Sequence, residues 1–183
     1  PARVVGGRGE WIGEGSGKAD ATTDGREEGE SYEAGVDDTG KFSELKFYAV
    51  QNNGAYLQLL TPSISHLTLF MVPGPYEIPH VSLTVDQAFT HTTPTDAYRG
   101  AGRPEATYAI ERIMDELAHE LGRDPMDLRK QNWIKHEEFP YTMVAGLTYD
   151  SGNSEAATAK AEQMFDLAGL RAEQQRRRDS RDP

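Results

Sequence analysis

Residues 104–121 (PEATYAIERIMDELAHEL) constrain the fold more than any other stretch. Ala106, Ile110, Ile113, Met114, Leu117 and Leu121 recur every three or four positions, so a helix gathers them on one face. Glu111, Arg112, Asp115, Glu116 and His119 fall on the other face. Such a helix is stable only when its apolar stripe packs against another layer. Gly122 supplies the stop. The layer is announced upstream. In residues 80–90 (HVSLTVDQAFT), Val81, Leu83 and Val85 alternate with Ser82, Thr84 and Asp86, the period of a half-buried strand.

The junction between that strand and the helix, residues 93–106 (TPTDAYRGAGRPEA), sets Gly100, Ala101 and Gly102 between Arg99 and Arg103. Small residues let a backbone approach another group closely, and glycine takes angles that other residues avoid. Pro104 opens the helix, where its missing N–H costs no hydrogen bond. The loop is expected to offer backbone N–H groups and two guanidinium groups at a helix N-terminus, a setting that favours an anion. On the glycines alone, an ordinary strand-to-helix connection with a surface arginine is the preferred reading. G-x-G with no third glycine and no lysine–serine pair is neither a dinucleotide fingerprint nor a phosphate loop.

Composition removes several classes. The net charge of −11 argues against free nucleic acid as a partner. The early acids Asp20, Asp24, Glu27, Glu28, Glu30, Glu33, Asp37 and Asp38 read as a solvated sheet face. The chain has no cysteine, so it offers no disulfide, thiolate zinc site, iron–sulfur ligand or cysteine nucleophile. His66, His80, His91, His119 and His136 never fall at i, i+4, and no metal ligand set is expected. The longest apolar run, residues 66–73, is far shorter than the ~20 residues of a membrane span. No signal peptide is visible, and a cytoplasmic location is expected. The chain starts at Pro1 and ends in RAEQQRRRDSRDP, which reads as a piece of a larger polypeptide.

In chain order, residues 1–21 are glycine-rich and weakly patterned, an edge segment in which only Trp11 and Ile12 suggest a strand. Residues 29–36 and 42–52 flank the turn from Asp37 to Lys41 and predict a β-hairpin, with Phe42, Leu45, Phe47, Ala49 and Val50 available for burial. Residues 57–70 are apolar without a clean period, leaving helix or irregular buried segment open. The Pro73–Gly74–Pro75 triplet marks a turn. Asp124 caps a second helix opened by Pro125, anchored by Leu128, Trp133 and Ile134. Ser154 caps a last helix running through Met164, Phe165, Leu167 and beyond. The predicted class is α+β (mixed α/β).

The residues also carry a resemblance. YEIP (76–79), TPTDAYRGAGRPEA (93–106), IER (110–112), LGRDP (121–125), LR (128–129), QN (131–132), FPY (139–141) and YDSGN (149–153) follow in order. Over residues 22–171 the chain resembles the molybdenum-binding large subunit of the xanthine dehydrogenase and aldehyde oxidase family. Within that family it resembles most the form II, carbon-monoxide-dehydrogenase-like branch. AYRGAGRPEA is specific to this family in a way the bare glycines are not.

The resemblance implies an internal fragment carrying a partial molybdopterin-binding domain over residues 22–171, with 172–183 as a polar helix end or tail. It implies a molybdopterin oxidoreductase using the cytosine dinucleotide form of the cofactor. An aldehyde or N-heterocycle would be hydroxylated with water-derived oxygen. Electrons would pass to an iron–sulfur small subunit and an FAD medium subunit of a heterotrimer. Tyr98, Arg99, Gly100, Ala101, Gly102 and Arg103 would line the cofactor, with Arg99 beside the metal as the catalytic candidate.

Departures sharpen this. Gly100 stands where carbon monoxide dehydrogenases carry a copper-binding cysteine, so no copper is expected. Ala101 stands where xanthine oxidases place a substrate-stacking phenylalanine. Leu67 lies about where those enzymes place a substrate-binding arginine, and Gly15 and Gly17 replace an arginine and a glutamate. The Phe-Gly-Gly loop would lie upstream and the glutamate base downstream, so the fragment alone is expected to be inactive and to hold no molybdenum. The alternative is a non-catalytic α/β remnant or small-anion-binding module.

Overall fold

The computed structural model describes the backbone of residues 3–10 and 28–180, with side chains over 28–180. The chain divides into two compact units, Pro1–Trp133 with Thr142–Thr148, and Ile134–Tyr141 with Tyr149–Pro183.

The first unit is a four-stranded sheet in the order β1 (Arg3–Glu10), β2 (Glu28–Val36), β3 (Phe42–Asn52), β4 (Val81–Ala88), with helices α1 (Ile64–Met71), α2 (Arg103–Leu121) and α3 (Pro125–Asn132). β1 to β3 pair antiparallel, whereas β3 and β4 are parallel. A parallel pair requires a crossover. Here the crossover holds a 3-10 turn, Thr61–Ser63, followed by α1.

Period-2 alternation turns Tyr32 and Ala34, and Leu45, Phe47 and Ala49, into one buried set in which Tyr32 opposes Phe47 and Ala34 opposes Leu45, while a register shift at Gly35–Val36 brings Phe42 opposite Val36 and into the same core. The same alternation sends Val50 outward, contrary to the burial expected of it. The α2 stripe completes the core through Ala106, Ala109, Ile110, Ile113, Met114 and Leu117, while Leu121 is half-buried at its end. Each fully buried aliphatic side chain contributes ~1.5–3 kcal/mol.

Helix α3 clamps the β2–β3 turn. Gly40 turns the chain with φ 88°, and a Cβ there would lie 2.5 Å from an Arg123 guanidinium nitrogen. The Asp37 carboxylate accepts from the Thr39 and Lys41 amides at 2.8 and 3.0 Å. Asn132, fully buried, accepts from the Phe42 amide at 2.9 Å and donates to the Gly40 carbonyl at 2.9 Å. On the far side of α2, Glu111 accepts from the Tyr76 hydroxyl at 2.8 Å and from Arg129 Nε at 2.6 Å. Burial, and then the adjacent Glu111 charge, hold the Tyr76 hydroxyl well above its usual range, so it remains a donor.

In the second unit, the Phe139 ring occupies the space a side chain at Gly152 would need. Helices α4 (Ser154–Met164) and α5 (Leu167–Ser180) bury no residue. The expected single helix is broken: Asp166 takes φ 47° between them. The α4 cap is Asn153, whose side chain accepts from the Ala156 amide at 2.8 Å, so Ser154 is the first helical residue and not the cap.

Three further expectations change. Residues 3–10, read as unpatterned edge, form strand β1; Trp11 and Ile12 lie outside the described residues. Residues 57–70 resolve into a short exposed loop, the 3-10 turn and most of α1. The acidic run is not a uniformly solvated face, because Glu28 is buried and Glu30 half-buried. Glu33, Asp37 and Asp38 are exposed as expected, and Asp20, Asp24 and Glu27 lie outside the described residues.

Candidate functional site

The loop of residues 93–106 is fixed at its base before it becomes exposed at its tip. Thr95, buried, donates from Oγ1 to the Asn52 carbonyl at 2.8 Å. The Thr95 carbonyl accepts from the Thr61 hydroxyl at 2.5 Å. Asp96 Oδ1 accepts from the Leu60 and Ala97 amides at 3.0 and 2.8 Å. Gln51 ties the end of β3 to the start of α1, donating to the Thr61 carbonyl at 2.7 Å and accepting from the Ser65 amide at 3.1 Å. Gln87, on β4, donates to the Pro62 carbonyl and Ser65 Oγ at 2.8 and 2.9 Å. These amides and hydroxyls position the loop, and the sequence reading missed them. Their signal was faint: polar residues closing otherwise apolar strands.

The tip holds the six site candidates in one continuous turn. Tyr98 and Arg99 are exposed, Gly100 and Ala101 half-buried, Gly102 buried and Arg103 exposed. Gly100, Ala101 and Gly102 take φ 108°, 28° and 84°, three consecutive left-handed residues. Such a run is sterically open to glycine and costly for a residue with a Cβ. Gly102 is also the point of closest approach to α1. A Cβ there would lie 2.5 Å from the Thr68 amide and 2.8 Å from the Leu67 carbonyl carbon. The Leu67 backbone therefore borders the loop.

The helix begins one residue earlier than Pro104, at Arg103. Fewer amides face outward than the sequence suggested, because the loop uses several itself. Ala101 donates to the Tyr98 carbonyl at 3.0 Å, Arg103 to Gly100 at 3.1 Å and Ala106 to Gly102 at 3.0 Å. What the tip presents is mainly side chain: the Arg99 and Arg103 guanidinium groups at the positive end of a 19-residue helix. That donor set fits an oxyanion or a phosphate-bearing group.

Behind the tip lies a carboxyl group in the opposite electrostatic setting. Burial, then Glu28, then Glu105 in the first turn of α2, push the Glu30 carboxyl up to about 8. The histidines are bound to backbone where their partners are defined: His66 Nδ1 lies 2.8 Å from the Pro62 carbonyl and His136 Nδ1 2.7 Å from that of Gly152. No group of three metal-ligating side chains occurs among the described residues.

A family profile for the molybdopterin cofactor-binding domain matches residues 2–133, which spans the sheet, the loop and α1 to α3. The chain belongs to the molybdopterin cofactor-binding domain family. It is 37% identical over 142 residues to the carbon monoxide dehydrogenase large chain of Hydrogenophaga pseudoflava, covering 76% of this chain and 18% of that one. It is 35% identical over 122 residues to the 6-hydroxypseudooxynicotine dehydrogenase complex subunit gamma of Paenarthrobacter nicotinovorans, covering 67% and 15%. The crystal structure of the Cu,Mo-CO dehydrogenase in its carbon-monoxide-reduced state superposes with a TM-score of 0.75 at 30% identity, over 87% of this chain and 21% of that chain. The chain thus spans less than a quarter of the length of these molybdopterin-domain relatives. Among the described residues, no helix is long and apolar enough to cross a membrane.

Proposed function

We propose that this chain is the part of a molybdenum hydroxylase large subunit that shapes one wall of the molybdopterin site. In this reading residues 22–171 form a partial molybdopterin-binding domain. The complete enzyme oxidises an aldehyde or an N-heterocycle. When bound, the cofactor supplies the metal centre and the redox chemistry. The observation that carries the reading is the tip of the loop. Arg99 and Arg103 bracket three left-handed residues at the N-terminus of α2, on a base pinned by Thr95, Asp96, Gln51 and Gln87.

Within that frame each residue has a task. Arg99, exposed at the tip, would offer a planar fork of donors to anionic oxygen of the bound cofactor. Gly100 and Ala101 keep the wall low, so a bulky planar substrate can approach. Tyr98, exposed on the same turn, and Arg103 would hold the cofactor body. Gly102 seats the turn on α1. The cytosine dinucleotide form of the cofactor, iron–sulfur and FAD partner subunits, and a cytoplasmic location follow from the family resemblance. Copper is not expected, since Gly100 has no thiolate to offer and the chain has no cysteine.

The test is Arg99→Lys in the complete enzyme, which keeps the charge and loses the fork. Turnover should fall by roughly 10²-fold, the scale for losing one preorganised donor at developing charge. Molybdenum content and fold should be retained. Arg103→Lys should affect cofactor retention more than turnover. Normal turnover of the Arg99→Lys enzyme at full molybdenum content would refute the role of Arg99.

A further inference from the structure

We infer that an apolar, charge-poor shoulder beside the loop is the seat on which the remainder of the large subunit docks. Residues 55–60 (AYLQLL) are all exposed, and Leu59 reaches 89% exposure. Phe89 and Tyr98 are exposed at 62% and 69% on the neighbouring segment. The two segments run together. The Ala55 amide donates to the Thr92 carbonyl at 3.0 Å, the Thr90 amide to Gly54 at 3.0 Å and the Leu60 amide to Asp96 at 3.0 Å. Gly54 makes the contact possible, since a Cβ there would collide with the Thr93 carbonyl and Pro94.

The charge pattern says what kind of surface this is. The chain carries 19 basic and 30 acidic residues, yet none lies between Lys46 and Glu77, and none in residues 87–95. A face that stays in water would be interspersed with charge. Loss of charge together with exposed aromatic and leucine side chains marks the core of a permanent interface. Permanent interfaces resemble a domain core cut in two. The occupant is argued from length: the matched relatives run several times longer than this chain, which covers 15% to 21% of them. The shoulder also adjoins Arg99, so whatever covers it closes the cofactor loop from that side. The inference rests on the large-subunit reading above.

The experiment uses thiol protection in the complete subunit. Leu59→Cys introduces a probe whose peptide is followed by mass spectrometry during reaction with N-ethylmaleimide. Asp38→Cys, on the exposed turn at the opposite end of β3, is the reference. Cys at 59 should react at least roughly ten-fold more slowly than Cys at 38, and should do so in the monomeric subunit stripped of partner chains. Equal reactivity overturns the inference. So does protection that disappears on dilution, which assigns the face to a second copy, or on removal of partner subunits, which assigns it to another chain. If Leu59→Cys does not fold, Phe89→Cys is read the same way. Molybdenum content is measured on the same samples. Protection without molybdenum sinks the cofactor reading and leaves the docking face standing; molybdenum without protection does the reverse.

Discussion

Glu30 offers the sharpest test of the electrostatics behind the loop. Its carboxyl is raised from 4.5 to about 8, first by burial and then by the negative charges of Glu28 and Glu105. The folded state therefore binds a proton more tightly than the unfolded chain does. Between pH 4.5 and about 8 the folded state holds more protons, so stability falls as pH rises through that window. It is flat with respect to this group below and above. At 1.36 kcal/mol per pH unit, the interval corresponds to at most about 5 kcal/mol. That interval is an upper limit, so Glu30→Gln should recover about 2–4 kcal/mol above pH 8 and less than about 1 kcal/mol at pH 5. Urea denaturation of both forms of the chain at pH 5 and pH 8.5 measures this. Other titrating groups, such as Asp37 with its lowered carboxyl, are common to both forms and cancel in the comparison. A stability difference independent of pH, or wild-type stability that rises across the window, would refute the argument.

Leu117→Ala removes a fully buried side chain from the α2 stripe and should cost ~2–5 kcal/mol, read as a lower urea midpoint. Asn132→Ala leaves the Phe42 amide and the Gly40 carbonyl buried without their partner and should cost ~2–4 kcal/mol, with faster amide exchange at the β2–β3 turn. Gly102→Ala forces a Cβ against the α1 backbone at φ 84° and should destabilise by ~2–4 kcal/mol, again by denaturation midpoint. Gly29→Ala is its counterpart: open space around that position predicts little change.

Much of the first unit was legible because its signals are local. The α2 stripe is written at i, i+3 and i+4, the β2–β3 alternation at period 2, and the cap at Asp124 within three residues of the amides it accepts. The loop was found the same way, from small residues before a helix, and AYRGAGRPEA fixed its family. What the sequence could not say is which distant groups meet. Asn132 reaches Gly40, Gln87 reaches Ser65 and Asp96 reaches Leu60, across 92, 22 and 36 residues. No periodicity encodes such pairings. They are set by register and by the crossover that makes β4 parallel to β3. The same cause explains the misread elements. The glycine-rich residues 3–10 have little intrinsic strand pattern and become β1 by pairing with β2. Glu28 and Glu30 look like solvated acids in the sequence, and only the packed sheet and the start of α2 bury them together. Spacing thus determined the elements and the motif resemblance the family, while tertiary structure decided which polar groups lost their water and which backbone amides the loop kept for itself, because desolvation depends on neighbours that the linear chain does not bring near.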